Sequence, residues 1–281
     1  MEVKALSFTT IFISVARSEQ EKGIVRLVKP KSIYVKDISS NSSVNAEYIY
    51  LENSIYSLGF DSKTGNLEIM SNRKSGVKLN NHQEYREYIN GTGGAYILVE
   101  PNPSTKISKP ATLFLYEGKH VKQLTQFVSS SLWLKTRIYV SPNSLKQQQQ
   151  LKQTEIELES FVHQQHHVGP IPLNREYITL FNTNLKTQNY WYTDSSGLEI
   201  AQRQYSDNIP GNVIGGNYHA MVSTSYIKDI DRDAQFTVLT RQSMGVTSQA
   251  SGQLEIMLHR RTNSSDQQGP VSKTNLQNLF L

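Results

Sequence analysis

Apolar and polar residues alternate with a period of two along much of this chain, the repeat of a strand with one face in a core and the other in water. Residues 6–13 set Leu6, Phe8, Ile11 and Ile13 among Ser7, Thr9 and Thr10, which predicts a strand. Residues 48–51 and 55–60 repeat the pattern. Asp61-Ser62-Lys63-Thr64-Gly65-Asn66 then leads into Leu67-Glu68-Ile69-Met70. Turn residues with a glycine between two alternating runs predict a β-hairpin there. Further strands are expected over residues 95–99, 111–116, 132–140, 154–162, 177–181, 190–192, 220–227, 235–240 and 254–259. In those runs Val, Ile, Tyr, Phe and Thr dominate, and Gly, Pro, Asn and Asp fill the gaps. In Leu254-Glu255-Ile256-Met257-Leu258 the branched residues share one face, and in Glu155-Ile156-Glu157-Leu158-Glu159 the carboxylates share the other. No stretch carries a long 3.6-residue stripe flanked by caps. The expected fold class is therefore all-β, a sandwich of many antiparallel strands.

The polar run Ser39-Ser40-Asn41-Ser42-Ser43 reads as a loop. It divides the chain into entering β-strands of a small β region (1–40), a large β-sandwich (41–270) and a tail (271–281). Gln147 to Gln150 reads as a loop expansion, and strand patterning is lost from Asn263 onward. The apolar start is broken by Glu2, Ser7, Thr9 and Thr10, so no signal peptide is expected in this chain.

Composition narrows the function classes. With 281 residues, of which 37% are hydrophobic and 19% charged, the chain can bury a core and is not a self-repelling disordered segment. No apolar run approaches the roughly 18 residues of a membrane helix, so no membrane partner is expected. The absence of cysteine removes disulfides, thiolate metal sites and thiol nucleophiles. The net charge of +5 raises nucleic acid as a partner. Lys and Arg are however scattered singly or in pairs among acids, without the cluster that phosphate neutralisation needs, so nucleic acid is not expected either.

Candidate chemistry is sparse. His163-Gln164-Gln165-His166-His167 is the histidine cluster, and on a strand His163 and His167 would share a face. A zinc site needs three or four ligands, and no carboxylate lies close by in sequence. The expected reading is a strand end with surplus histidines and no metal. Glycosidases need two carboxylates, about 5–5.5 Å apart in retaining enzymes. Asp194, Glu199, Asp207, Asp229 and Asp231 sit in turns or at strand ends, where such side chains bond their own backbone. The G-x-S-x-G elbow and the phosphate-binding P-loop are absent. No catalytic residue is assigned. Asn41-Ser42-Ser43, Asn90-Gly91-Thr92 and Asn263-Ser264-Ser265 match the N-glycosylation pattern, making Asn41, Asn90 and Asn263 candidate acceptors.

Several blocks appear in order that together resemble one family. They are Asn90-Gly91-Thr92-Gly93-Gly94-Ala95-Tyr96, Val168-Gly169-Pro170-Ile171-Pro172-Leu173 and Tyr192-Thr193-Asp194-Ser195-Ser196-Gly197. Gly216-Asn217-Tyr218, Thr237-Val238-Leu239-Thr240 and residues 251–261, ending Met257-Leu258-His259-Arg260-Arg261, follow. The series is similar to the C-terminal half of the α-mannosidases of glycoside hydrolase family 38, with forms closer to the lysosomal branch, and covers about residues 4–269. The resemblance implies a galactose-mutarotase-like β-supersandwich and a retaining hydrolase releasing terminal α-mannose from N-linked glycans. It further implies a zinc cofactor whose ligands, with the catalytic aspartates, belong to an N-terminal α/β domain. No histidine here is followed two residues later by Asp, so the chain is expected to bind no zinc itself, to be inactive alone, and to have the catalytic N-terminal domain and a mannose-containing glycan as partners. A lysosomal or secretory-lumen location is expected if it is part of a full-length enzyme.

By the same resemblance Tyr96 matches a tyrosine whose hydroxyl reaches the bound sugar, and Arg261 is a second substrate-binding candidate. After Arg260-Arg261 the family continues with two acids and an Arg-Gly. Here Thr262-Asn263-Ser264-Ser265-Asp266-Gln267-Gln268-Gly269 follows, replacing one acid and the arginine. Arg241-Gln242-Ser243-Met244-Gly245 and His219-Ala220 depart from the family's Asp-Arg-Ser-Gln-Gly and Tyr-Pro. The alternative reading is a stand-alone carbohydrate-binding or structural β-sandwich module, in which some of the 15 tyrosines stack on sugars.

Overall fold

The structure, a computed structural model, describes residues 47–89, 98, 102–107, 110–118, 120–140, 159–209 and 214–263, together with the backbone of 34–37. The strands expected over residues 6–13 and 95–99 lie outside this set, Leu98 excepted, as do Gln147 to Gln150 and the tail.

After β1 (Tyr34–Asp37), a meander of β2 (Tyr48–Glu52), β3 (Tyr56–Asp61), β4 (Leu67–Asn72) and β5 (Lys78–Ile89) opens the largest sheet, and β6 (Thr105–Lys106) pairs with β5. Then β7 (Thr112–Glu117), β8 (Val121–Ser129), β9 (Leu132–Tyr139) and β10 (His163–Val168) form a five-stranded sheet ordered β1-β7-β8-β9-β10. β11 (Arg175–Thr183) returns beside β5. A four-stranded sheet, ordered β13-β12-β15-β16, uses β12 (Tyr190–Ser195), β13 (Glu199–Gln204), β15 (Thr224–Lys228) and β16 (Gln235–Leu239). β14 (His219–Met221), β17 (Met244–Thr247) and β18 (Gln253–Arg261) complete the largest sheet, ordered β14-β17-β18-β11-β5-β4-β3-β2. Every pairing is antiparallel, and the all-β expectation holds among the described residues.

One face of the largest sheet is buried against both smaller sheets. Leu51, Leu58 and Phe60 pack on Leu113, Leu124 and Ile138 of the five-stranded sheet. Tyr85 and Tyr177 pack on Leu132 and Leu134. Further along, Phe181, Leu254 and Ile256 pack on Trp191, Ile227 and Phe236 of the four-stranded sheet. Each such aliphatic or aromatic side chain contributes about 1.5–3 kcal/mol by leaving water, so the period-two pattern dictates which face turns inward.

The predicted hairpin forms as β3 and β4. Asp61 Oδ1 accepts the backbone N–H groups of Thr64 (2.7 Å) and Lys63 (3.1 Å), and Gly65 takes a φ of 73°. Two expected strands are corrected. Glu159 and Ser160 lie in a helical turn, and the strand begins only at His163; residues 154–158 are outside the described set. The strand expected over 220–227 is broken at Val222 and Ser223, because the Asp194 carboxylate takes both of their N–H groups at 2.8 Å.

Candidate functional site

Two of the blocks singled out in the sequence meet at one end of the sandwich. β18 runs antiparallel to β11 with Arg261 opposite Arg175, and the segment entering β11 carries Pro170, Ile171 and Pro172. Arg261 Nη1 donates to the carbonyl oxygen of Ile171 at 3.0 Å, tying the end of the last strand to that segment. Beside this link opens a cleft of about 810 Å³, bounded by Arg261, Ile171, Tyr177, Glu87 and the β8–β9 turn at Ser129 to Ser131. Local bonds hold the turn in place. Ser131 donates its N–H to Ser129 Oγ at 3.3 Å, and the Gly169 N–H donates to the Ser131 carbonyl at 2.7 Å. Tyr177 is 8% exposed, and its phenol is raised above its ordinary pKa by burial and by nearby Glu87, against the opposing Ser131 hydroxyl and Arg175.

Charge around the cleft is organised in pairs. Glu87 meets Arg175 at 3.2 Å. Lys106, on the rim, meets Glu84 at 2.8 Å. Glu84 also takes Arg86 at 2.6 Å and faces His82 Nε2 at 3.2 Å, while His82 Nδ1 faces Glu68 at 2.7 Å. The His82 contact, then Lys106 and Arg86, overcome burial and hold the Glu84 carboxyl far below the usual range. In return Glu84 and Glu68 raise the His82 imidazole. Arg260, on the neighbouring register position, meets Glu176 at 3.5 Å.

Of the predicted site residues, Arg261 thus lines the cleft, whereas Tyr96, Asn41 and Asn90 lie outside the described residues. Asn263 is exposed, and its backbone N–H donates to Asn174 Oδ1 at 2.9 Å. Sequence reasoning did not single out Glu87, the serine turn or Lys106. They come from β5, the β8–β9 turn and β6, and only sheet pairing brings them together.

The histidines do share faces as a strand requires, but His163 and His167 are four residues apart, about 13 Å along a strand, too far to hold one ion. His167 stacks on Trp133 at 3.5 Å and 3°, His163 meets the Tyr139 edge at 5.0 Å, and His166 packs on Tyr85 at 5.9 Å. Burial pushes the His166 imidazole down to about 4, so it is neutral. Among the described residues no three His, Asp or Glu side chains converge to hold a metal. The described donor set does not fit the zinc that the family resemblance implies, and no zinc chemistry is assigned to it. The turn aspartates are likewise occupied. Asp194 takes the N–H groups of Val222 and Ser223, and Asp229 those of Lys186, Asp231 and Arg232.

Comparison with known proteins gives the class of this sandwich. Residues 51–268 match the family described as glycosyl hydrolases family 38 C-terminal domain, and the chain belongs to that family. It is 27% identical to a lysosomal alpha-mannosidase of Dictyostelium discoideum, over 95% of this chain and 27% of that protein. It is 31% identical to an alpha-mannosidase of Canavalia ensiformis, over 75% and 22%, and 30% identical to a lysosomal alpha-mannosidase of Bos taurus, over 80% and 23%. The chain therefore spans about a quarter of the length of these curated relatives. Among solved structures it is similar to a galactose mutarotase-like protein from Lactobacillus casei, with 10% identity and a TM-score of 0.37 over 76% of this chain and 91% of that one.

Proposed function

We propose that this chain is the β-sandwich part of an α-mannosidase that hydrolyses terminal α-D-mannose from N-linked glycans. It supplies one wall of the glycan cleft, while the carboxylates and zinc that break the bond belong to a catalytic N-terminal domain. The observation that supports this reading is the junction of two family blocks, residues 168–173 and 251–261, on one cleft through the Arg261–Ile171 hydrogen bond. The cleft has the chemistry of a sugar site. Proline and isoleucine offer an apolar wall to ring C–H groups, while serine hydroxyls, a guanidinium and a carboxylate offer donors and acceptors to sugar hydroxyls. The substrate-binding roles of Arg261 and, from the family motif, Tyr96 belong to this proposal. So does a lysosomal or secretory-lumen location for the complete enzyme, with Asn41, Asn90 and Asn263 as glycan acceptors.

Bond cleavage needs both carboxylates held against the anomeric carbon, and mutual positioning carries much of catalysis. The chain alone is therefore expected to give no turnover on an aryl α-mannoside with zinc present, yet to bind methyl α-mannoside weakly, with binding reduced by Arg261→Ala. Zinc-dependent turnover by residues 1–281 would overturn the division of labour. Binding that ignores Arg261 would overturn the placement of the cleft.

The stand-alone sugar-stacking module finds less support. Phe127, Trp133 and His167 line up across β8, β9 and β10, but they stack on one another, at 5.3 Å between Phe127 and Trp133 and 3.5 Å between Trp133 and His167. The Trp133 indole stacks with His167 and Phe127 and has Lys135 Nζ 4.9 Å from its centre, which leaves less of it for a pyranose.

A further inference from the structure

We propose that β13 is a docking edge for a second copy of this chain, pairing antiparallel with the same strand of its partner so that the two four-stranded sheets run on as one. This is independent of the glycan reading. The cleft lies at the Arg175 end of β11, and the four-stranded sheet packs further along that strand, at Phe181. Among the described residues β13 pairs with β12 alone, so alternate N–H and C=O groups along it face outward from the sheet. The devices that usually guard such an edge are missing from it. Glu199-Ile200-Ala201-Gln202-Arg203-Gln204 holds no proline and no lysine, and its pairing with β12 has no bulge. It also carries apolar side chains into water, with Ile200 46% exposed and Leu198 beside it 90% exposed.

The charges of the strand specify a second copy as the occupant. In an antiparallel pair centred on Ala201, Glu199 lies opposite Arg203 of the partner subunit, and Arg203 lies opposite Glu199 of the partner subunit. A two-fold pair therefore makes both contacts at once. Centring on Ile200 or Gln202 instead, the nearest registers that keep the same faces together, sets neither charge opposite the other. Glu199, Ala201 and Arg203 share one face, in register with Ser195, Thr193 and Trp191 of β12. There Arg203 Nε donates to Thr193 Oγ1 at 3.2 Å, which steadies the guanidinium and leaves its terminal N–H groups for a carboxylate. On the other face, Ile200 and Leu198 gain the stems of the partner subunit's Gln202 and the partner subunit's Gln204 as cross-strand neighbours.

One strand pair falls short of the roughly 1,200 Å² of a standard interface, so the dimer is expected to be weak, forming at about 100 µM. Sedimentation of the whole chain, residues 1–281, over about 10–500 µM should show a mass rising from 31.9 kDa toward twice that value. Glu199→Arg and Arg203→Glu each set like charges opposite one another at both contacts, and each should weaken the dimer by about tenfold or more. The double variant, Glu199→Arg with Arg203→Glu, rebuilds both pairs in reverse and should recover the dimer. Thermal melting of every variant checks that it is folded. A chain that stays monomeric across the whole concentration range would overturn the proposal. So would a dimer that the single variants leave intact, which would place the contact elsewhere. A double variant that melts normally yet stays as weak as the single ones would overturn the register, and with it the self-pairing of β13.

Discussion

The Tyr88 hydroxyl donates to Glu255 Oε1 at 2.7 Å between two strands that β11 separates, with Tyr88 1% and Glu255 3% exposed. Tyr218 donates to the same oxygen, and Gln249 Nε2 reaches Tyr88 Oη at 2.8 Å and Glu255 Oε2 at 3.2 Å. Burial raises the Glu255 carboxyl, and the phenols and amide recover only part of the cost of its ionised form. A group whose folded value is raised stabilises the fold below its unfolded value, near 4.5, and loses that contribution as pH rises through the folded value. Tyr88→Phe removes a donor that favours the ionised form of Glu255, so it should cost about 1–3 kcal/mol once pH exceeds the folded value of that carboxyl and less below it. Urea unfolding from pH 4.5 upward should show a loss that grows with pH. An equal loss across the range would mean that packing, not the charge, sets the cost.

His82 behaves in the same direction at higher pH. Glu84 and Glu68 raise its imidazole, so the interaction stabilises the fold fully below the unfolded value of about 6.5 and is lost as pH rises through the raised value. The side chain is 38% exposed, and water screens it to a fraction of a kcal/mol. Thermal melting between pH 6 and pH 8.5 should show a small fall in midpoint that His82→Gln flattens. A melting point that rises across that window in the unmodified chain would contradict the assignment.

What the sequence revealed and what it hid follow one physical rule. The hairpin of β3 and β4 was legible because its inner face is apolar and its turn carries Asp61 and Gly65. β5 was not. This central strand is twelve residues long, Lys-Leu-Asn-Asn-His-Gln-Glu-Tyr-Arg-Glu-Tyr-Ile, and reads as polar. It nevertheless buries Asn81, Gln83 and Glu84, with the Gln83 amide bonded to Thr179 and Gln164. The partners of Gln83 are 81 and 96 residues away in sequence, Glu84 is held by His82, Arg86 and Lys106, and the buried Asn81 amide has no side-chain partner among the described residues, so little of this burial could be read from the strand itself. β8 escaped for a similar reason, with buried Thr125 and Gln126 between Leu124 and Phe127. Arg261 was legible through its family block, while Glu87 and the serine turn joined it only through the register of three strands.

The turn aspartates should act on stability. Asp229 is 4% exposed; burial pushes its carboxyl up, but Arg232 and the N–H groups of Asp231 and Lys186 outweigh that and hold it at about 2. It thus stabilises the fold above its unfolded value near 3.8 and ceases to as pH falls toward 2. Asp229→Ala strips Lys186, Asp231 and Arg232 of their shared acceptor and should cost about 3 kcal/mol. Chemical denaturation measures this at pH 7, and the gap to the unmodified chain should close by about pH 2. A variant of normal stability would free Asp229 for a chemical role.

Gly252 offers the sharpest backbone test, because it sits where β18 begins to pair with β11 and three separate constraints meet. Its φ is 80°, a region costing non-glycine residues roughly 1–2 kcal/mol. A Cβ there would lie 2.5 Å from the Thr183 carbonyl oxygen and 2.7 Å from that of Leu185, both backbone atoms with no rotamer to move. Its own carbonyl already accepts the Thr183 N–H at 2.8 Å and the Thr183 hydroxyl at 2.8 Å, so retreat from the clash breaks the pairing. Gly197 has a similar φ of 70°, but no atom lies within 4 Å of where its Cβ would stand. Gly197→Ala should therefore cost only the conformational 1–2 kcal/mol, and Gly252→Ala well above 3 kcal/mol, enough to endanger folding. Denaturant midpoints of the two variants measure the difference. Equal losses would show that the β11–β18 junction yields at Thr183 and Leu185, and that the register fixing Arg261 beside Ile171 is softer than its hydrogen bonds imply.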